Sequence, residues 1–251
     1  MIKFAGLLLA ASLSLAAADK VTVIRASRMF DGKSDRVVSP GILVITGAKI
    51  TAAGPQAVAP AGAEIIDLGD ATLLPGFMDA HTHLTMPFER DYRTGELALL
   101  KKPVSERTLD AVEIVRKTLM AGFTTVRDVG GADLIDVGLR NAINAGKIPG
   151  PRMLVATHAL GSTGGHCDPF AGYAPGIFGR ESGVTDGVIN SADQARFAVR
   201  YNINHGADVI KTCATGGVLS LTDDVDTPQL TQAELDALVD EAHALRRKTA
   251  A

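Results

Sequence analysis

The sequence predicts an α/β protein in which a small all-β unit precedes strands and helices that alternate around a parallel sheet. Three observations carry this expectation. Short β-branched runs broken by Gly, Pro and Asp fill residues 21–68. From Leu73 onward, apolar strand-like runs alternate with stretches of helical period, the pattern of βα units. A long Gly-rich loop, residues 161–190, follows one of those strands, the position where βα proteins keep their active-site residues.

Composition narrows the class. The 251 residues are 46% apolar and 21% charged, which excludes a disordered or collagenous chain. Lys plus Arg is 25 against 28 for Asp plus Glu, a net charge of −3 with no basic run, so neither a nucleic acid nor an anionic membrane is an expected partner. Aromatics at 4%, with no Trp, argue further against base stacking.

The leader comes first. Lys3, the apolar run 4–15 and Ala16-Ala17-Ala18 match the charged, apolar and small-residue regions of a secretory signal, residues 1–18, cleaved after Ala18. The run is shorter than the roughly 20 residues that span a bilayer, which favours a signal over a membrane anchor. The mature protein is therefore expected to be exported (periplasmic or secreted), soluble and free of the membrane once the signal is removed. An oxidising compartment allows Cys167 and Cys213 to pair; two free thiols are the alternative.

Strands at 21–26, 42–45 and 64–68, separated by Asp31-Gly32, Gly47 and the Gly/Pro/Ala-rich stretch 54–62, build the β unit assigned to residues 19–70. Four βα units are read in residues 71–251. The first strand, 73–83, is interrupted by Pro75-Gly76 and leads to a helix with Ser105 as N-cap and Leu109, Val112, Val115 and Leu119 along one face. The second, 123–128, precedes a helix through Ile135, Leu139 and Ile143 that stops at Gly146 and Pro149. The third, 153–157, feeds the long loop, after which Ser191-Ala192-Asp193-Gln194 opens the next helix as a capping box. The fourth strand is 208–213. Thr231-Gln232-Ala233-Glu234 opens the final helix, with Leu235, Leu238, Val239, Ala242 and Leu245 as its buried stripe.

Two features point to chemistry. His81 and His83 close the first βα strand two residues apart, so both imidazoles share a face and can hold one divalent cation. Lys211 lies within Asp208-Val209-Ile210-Lys211-Thr212-Cys213, a strand covered on both faces in a parallel sheet. It either snorkels to the surface or pairs with an acid such as Asp128, or it is desolvated. A desolvated lysine has a lowered pKa, and its neutral amine can act as a nucleophile or accept carbon dioxide as a carbamate.

The runs Leu74-Pro75-Gly76-Phe77-Met78-Asp79-Ala80-His81-Thr82-His83-Leu84, Gly122-Phe123-Thr124-Thr125-Val126-Arg127-Asp128, Thr163-Gly164-Gly165-His166 and Ile210-Lys211-Thr212-Cys213-Ala214-Thr215-Gly216-Gly217-Val218 together resemble the metal-dependent amidohydrolase superfamily. The likeness is to the imidazolonepropionase-like branch, which includes Xaa-Pro dipeptidases and related carboxypeptidase-like enzymes. It implies the N-terminal part of a (β/α)8 TIM-like barrel preceded by a small β-sandwich unit. It also implies that His81 and His83 bind the more buried metal, that a carboxylated Lys211 bridges two divalent ions, typically zinc, and that His166 faces the substrate. The superfamily's remaining parts are histidines after strands five and six and an aspartate general base after strand eight. None has a counterpart here, since His243, the only histidine after Lys211, falls within the last expected helix. An eight-stranded barrel takes about 250 residues, so the chain is expected to hold the first half of one, with the general base beyond Ala251.

The resemblance implies hydrolysis of a C–N bond in a small amide or dipeptide. Ring opening of a cyclic amide is the enzymatic alternative, and a non-catalytic half-barrel needing a partner chain is an alternative of another kind. Residues 19–251 expressed alone are expected to be inactive and poorly soluble; homo-oligomerisation stays open. A doubly wound sheet with an unrelated ligand is the remaining reading of the alternation. Among other residues, His158 is a pocket candidate, His205 a helix C-terminal residue favoured by the dipole, and Arg127-Asp128 either a site-orienting pair or an internal ion pair. Gly161 to Gly165 and Gly216-Gly217 lack phosphate-binding fingerprints and instead allow close backbone approach to a substrate.

Overall fold

Residues 19–88 and 90–251 are described by the computed structural model, so the expected signal peptide lies outside the described residues. The chain divides into two compact units between Pro75 and Gly76.

In the first unit, Val23 and Ala26 of Val21–Ala26 (β1) are buried, as are Val44 of Gly41–Thr46 (β4) and Met29 of Arg28–Phe30 (β2). Lys49–Ala53 (β5) and Glu64–Asp67 (β6) flank β4 and β1 in the order β5-β4-β1-β6. A second sheet pairs β2 with Val37–Val38 (β3) and Thr72–Leu73 (β7). The pairing of β7 with β2 carries this unit a few residues past position 70. It also divides the expected strand 73–83, because Pro75-Gly76 ends one pairing before the next begins.

The second unit opens with Phe77–Thr82 (β8), which pairs in parallel with Phe123–Asp128 (β9), and β9 pairs in parallel with Arg152–Val155 (β10). A backbone bond from Asp208 N to Val155 O, together with the parallel bridge of Leu160 and Thr212, sets Val209–Lys211 (β11) beside β10. Lys248–Ala250 (β12) then pairs in parallel with β11. Five parallel strands are therefore present among the described residues, where four were expected. The fifth was missed because three residues carry too little pattern to register as a strand.

Helices cover one side of this arc. Tyr92–Lys101 (α1) is a helix that periodicity did not reveal. Val104–Met120 (α2) is capped by Pro103, in extended conformation, and not by Ser105, which lies inside the first turn. Glu106 N and Arg107 N both donate to the Pro103 carbonyl. Ile135–Asn144 (α3) buries Ile135 and Leu139 against Val126, Met153 and Val155, with Ala111 and Val115 of α2 completing that core. Ala192–Asn204 (α4) and Gln232–Ala244 (α5) enclose a second core around Leu160, Ile189, Ile210 and Leu238. The expected capping box forms at Thr231, whereas at Ser191 the N-cap bond forms but the reciprocal bond goes to Asn190 N and not to Ser191 N. Ser191 Oγ accepts from Gln194 N, while Gln194 returns its side-chain oxygen to Asn190 N, and Thr231 and Glu234 make the reciprocal box. On the other face of the strands, Val129, Ala156, Val209 and Ala250 form a row of small side chains, and alternation places Lys211 on that same face. No helix of the described residues is long and apolar enough to cross a membrane.

Candidate metal and substrate site

His81 and His83 stand at the C-terminal end of β8 with ring centroids 5.5 Å apart. Backbone around them is tied down from three directions. Asp79 accepts from His81 N at 2.9 Å, Arg127 Nε donates to the Ala80 carbonyl at 2.7 Å, and Asp128, fully buried, accepts from Leu84 N at 2.6 Å. His83 Nδ1 lies 3.0 Å from the Gly130 carbonyl oxygen. A carbonyl can only accept, so Nδ1 carries the proton and Nε2 is left with its lone pair, the arrangement a metal-ligating histidine adopts.

Lys211 ends β11 at 8% exposure and makes neither a salt bridge nor a side-chain hydrogen bond among the described residues. Burial, and next the Arg127 charge, hold its amine below the ordinary lysine value. The expected alternatives for it, an exposed ammonium or a pair with Asp128, do not form. His81 titrates below the usual imidazole value through partial burial and then through the charges of Lys211, His83 and Arg127. Four cationic or cation-forming groups from β8, β9 and β11 thus act on one another. No cluster of three His, Cys, Asp or Glu side chains placed to hold a metal occurs among the described residues. What the chain offers a divalent cation here is two imidazoles and one buried amine, a set that fits such an ion once the amine acquires an anionic oxygen.

Arg127 and Asp128 point to different partners and form no ion pair. Burial, opposed by the Leu84 N–H and reinforced by the Asp136 charge, pushes Asp128 up to about 7. Its Oδ1 and Thr85 Oγ1 are both buried and find no hydrogen-bond partner among the described residues. Asp136, also fully buried, accepts from Thr157 N at 2.8 Å. Thr157 carries a left-handed φ of 62° directly before His158, strain of the sort held at binding sites. Sequence reasoning passed over Asp136 and Thr157, since neither a helix-start Asp nor a strand-end Thr is unusual by itself.

His166 belongs to the loop after β10. Its Nδ1 is 2.7 Å from Ser220 Oγ and its backbone N donates to Gln229 Oε1 at 3.0 Å. Gly217 lies against its ring so closely that a Cβ there would collide with Nδ1. The neighbouring Cys167 forms a disulfide with Cys213, Cα atoms 6.0 Å apart, which ties this loop two residues beyond Lys211. His205 caps α4, with Nδ1 2.8 Å from the Tyr201 carbonyl, as expected for a helix end, and His243 lies within α5. His158 is half-buried, and burial holds its imidazole below the usual value.

A family model described as the amidohydrolase family matches residues 72–251. An ochratoxinase of Aspergillus niger is 31% identical over an alignment covering 89% of this chain and 48% of that protein. An imidazolonepropionase of Arthrobacter sp. is 38% identical over 26% of this chain and 16% of its own length. The crystal structure of a Xaa-Pro dipeptidase with methionine in its active site superposes with a TM-score of 0.81 at 35% identity, over 92% of this chain and 56% of that one. The chain spans about half the length of the ochratoxinase it matches.

Proposed function

The chain belongs to the amidohydrolase family, and on that premise we propose that it supplies the first metal ligands of an exported hydrolase that cleaves C–N bonds in small amides, dipeptides foremost. The observation that carries this is the group of His81, His83, Lys211 and Arg127, cationic or cation-forming, with no carboxylate paired to Lys211 among the described residues. Such a group calls for an anion. The neutral Lys211 amine supplies one by attacking the carbon of carbon dioxide. The N–C bond forms, one C=O π pair moves onto oxygen, and the nitrogen proton leaves to water, giving a carbamate.

His81, His83 and the carboxylated Lys211 would then be the residues that hold divalent zinc. Bound there, divalent zinc lowers the pKa of water and polarises a carbonyl. The residues of this chain do the remaining positioning. Gly130 fixes the His83 tautomer, Asp79 and Asp128 hold the backbone either side of the two histidines, and Ser220 and Gln229 orient His166 toward the substrate. Export is supported by the disulfide, a bond that persists in oxidising compartments. The barrel reading is supported by the five parallel strands and the family match.

Ring opening of a cyclic amide is the second enzymatic reading, favoured by the imidazolonepropionase relative. A half-barrel needing a partner chain is favoured by β8, which pairs only with β9 among the described residues. The test uses the full-length protein reconstituted with zinc. His81→Ala and His83→Ala are each expected to lower bound zinc, and Lys211→Arg to abolish the carbamate resonance obtained with isotopically labelled bicarbonate. Amino-acid release from dipeptides against opening of cyclic amides separates the two enzymatic readings. Full zinc content in a His81→Ala, His83→Ala double variant would overturn the site.

A further inference from the structure

The bond between Cys167 and Cys213 joins positions 46 apart and links the substrate side of the proposed site to its metal side. Cys167 follows His166, proposed to face the substrate, and Cys213 stands two residues beyond Lys211, proposed to hold the metal. Glycine at 161 permits the close approach, because a Cβ there would lie 2.8 Å from the Cys167 Cβ.

The two ends of the bond are held differently. On the metal side, Cys213 N donates to the Leu160 carbonyl and Leu160 N to the Lys211 carbonyl, both at 2.8 Å, and Thr212 N donates to the Ala250 carbonyl at 2.9 Å. Lys211, Thr212 and Cys213 are all buried, so this ladder does not depend on the disulfide. On the substrate side, the hydrogen bonds that tie residues 162–168 to distant parts of the chain run, among the described residues, to side chains. Asn190 bonds Thr163 N and Oγ1, Gln229 accepts from His166 N, and Ser220 meets His166 Nδ1. All four bonds are exposed, where water competes for each partner.

We propose that the Cys167–Cys213 bond is a thiol-addressable clamp that positions His166, closed when oxidised and opened by a dithiol reductant, with Lys211 left in place in both states. Cys167 is half-buried and Cys213 is 7% exposed, so the reductant meets the Cys167 sulfur first. The reductant's thiolate attacks Cys167 Sγ, the S–S bond breaks, and its electron pair leaves on Cys213 Sγ, which takes up a proton. The reductant's second thiol, giving up its own proton, displaces Cys167 from the mixed disulfide, and the Cys167 thiolate is protonated in turn. Two electrons pass to the protein, and the reductant ends as a disulfide. The role of His166 rests on the hydrolase reading, while release of its loop is measured without turnover.

The full-length, zinc-loaded protein is compared oxidised, reduced by dithiothreitol that is then removed, and reoxidised, with a thiol count and a zinc measurement on each sample. Hydrogen exchange at residues 162–168 is expected to speed on reduction while residues 209–213 stay protected. KM for dipeptides is expected to rise about tenfold, the loss of one positioned hydrogen bond, with kcat and bound zinc unchanged. Reoxidation is expected to restore KM, Cys167→Ser to match the reduced form under both conditions, and His166→Ala to make KM insensitive to reduction. In a protein that hydrolyses dipeptides, a KM unaltered by reduction overturns the proposal. So does faster exchange that spreads to 209–213 with loss of zinc, the mark of a cross-link that only holds the fold together, or a bond that dithiothreitol fails to cut in the native protein. If reduction releases the loop and no amide is hydrolysed in any state, the clamp stands and the hydrolase reading falls.

Discussion

Asp128 and Asp136 are fully buried carboxylates, and the first of them makes stability depend on pH. The unfolded chain releases the Asp128 proton near 3.8 and the folded chain near 7, chiefly because burial disfavours the anion. Between those values the native state binds more protons than the unfolded state, so stability falls as pH rises through that window. Asp128→Asn keeps an acceptor for Leu84 N and removes the titration. Its thermal midpoint is expected to fall less between pH 4 and 7 than that of the parent; an equally steep fall would show that Asp128 is not the group responsible. Gly217 makes a second prediction at this scale. Ala there must displace the His166 ring, and if His166 touches substrate the consequence is a raised KM with a smaller change in kcat, read from steady-state kinetics of the full-length protein. His81, His83 and Lys211 were legible as individual residues because a paired histidine motif and a lysine inside an apolar strand break the pattern around them. Asp128 was legible only as one of a pair with Arg127, since side-chain direction at a strand end is settled by the neighbours it meets.

Helix α5 is held at its start by the reciprocal bonds of Thr231 and Glu234, with Glu234 Oε2 2.8 Å from Thr231 N. Thr231→Ala removes one partner and is expected to cost about 1 kcal/mol, seen as a lower denaturant midpoint with an unchanged slope. The capping signature was visible in the sequence, as was that at Ser191, because caps are local and need no tertiary partner. At α2 the local signal misled. Pro103, lacking an N–H, takes the cap position that Ser105 was expected to fill, and the helix begins earlier. The Cys167–Cys213 bond joins positions 46 apart. On the chain-entropy account, closing a loop of that length stabilises the native state by about 4 kcal/mol. Cys167→Ala with Cys213→Ala is expected to lower the thermal midpoint by several degrees, and a thiol count on the unreduced, denatured protein is expected to find neither cysteine free.

Strand β8 lies at the end of its sheet with Met78 at 77% exposure, and Met120 at the end of α2 is 74% exposed. An open strand edge beside exposed apolar side chains favours pairing with another chain. Residues 19–251 by themselves are therefore expected to self-associate, with a sedimentation coefficient that rises with concentration; a monomer at all concentrations would contradict this. The sequence by itself determined the division into a β unit and alternating βα units, the helix caps at Ser191 and Thr231, and the family, because these depend on local period, cap chemistry and short motifs. Only the tertiary structure decided that a fifth strand pairs with β11, that Cys167 reaches Cys213, and that Lys211 has no acid partner among the described residues. Each of those depends on residues far apart in the chain meeting, and the burial and charge that give them their chemistry arise only when they do.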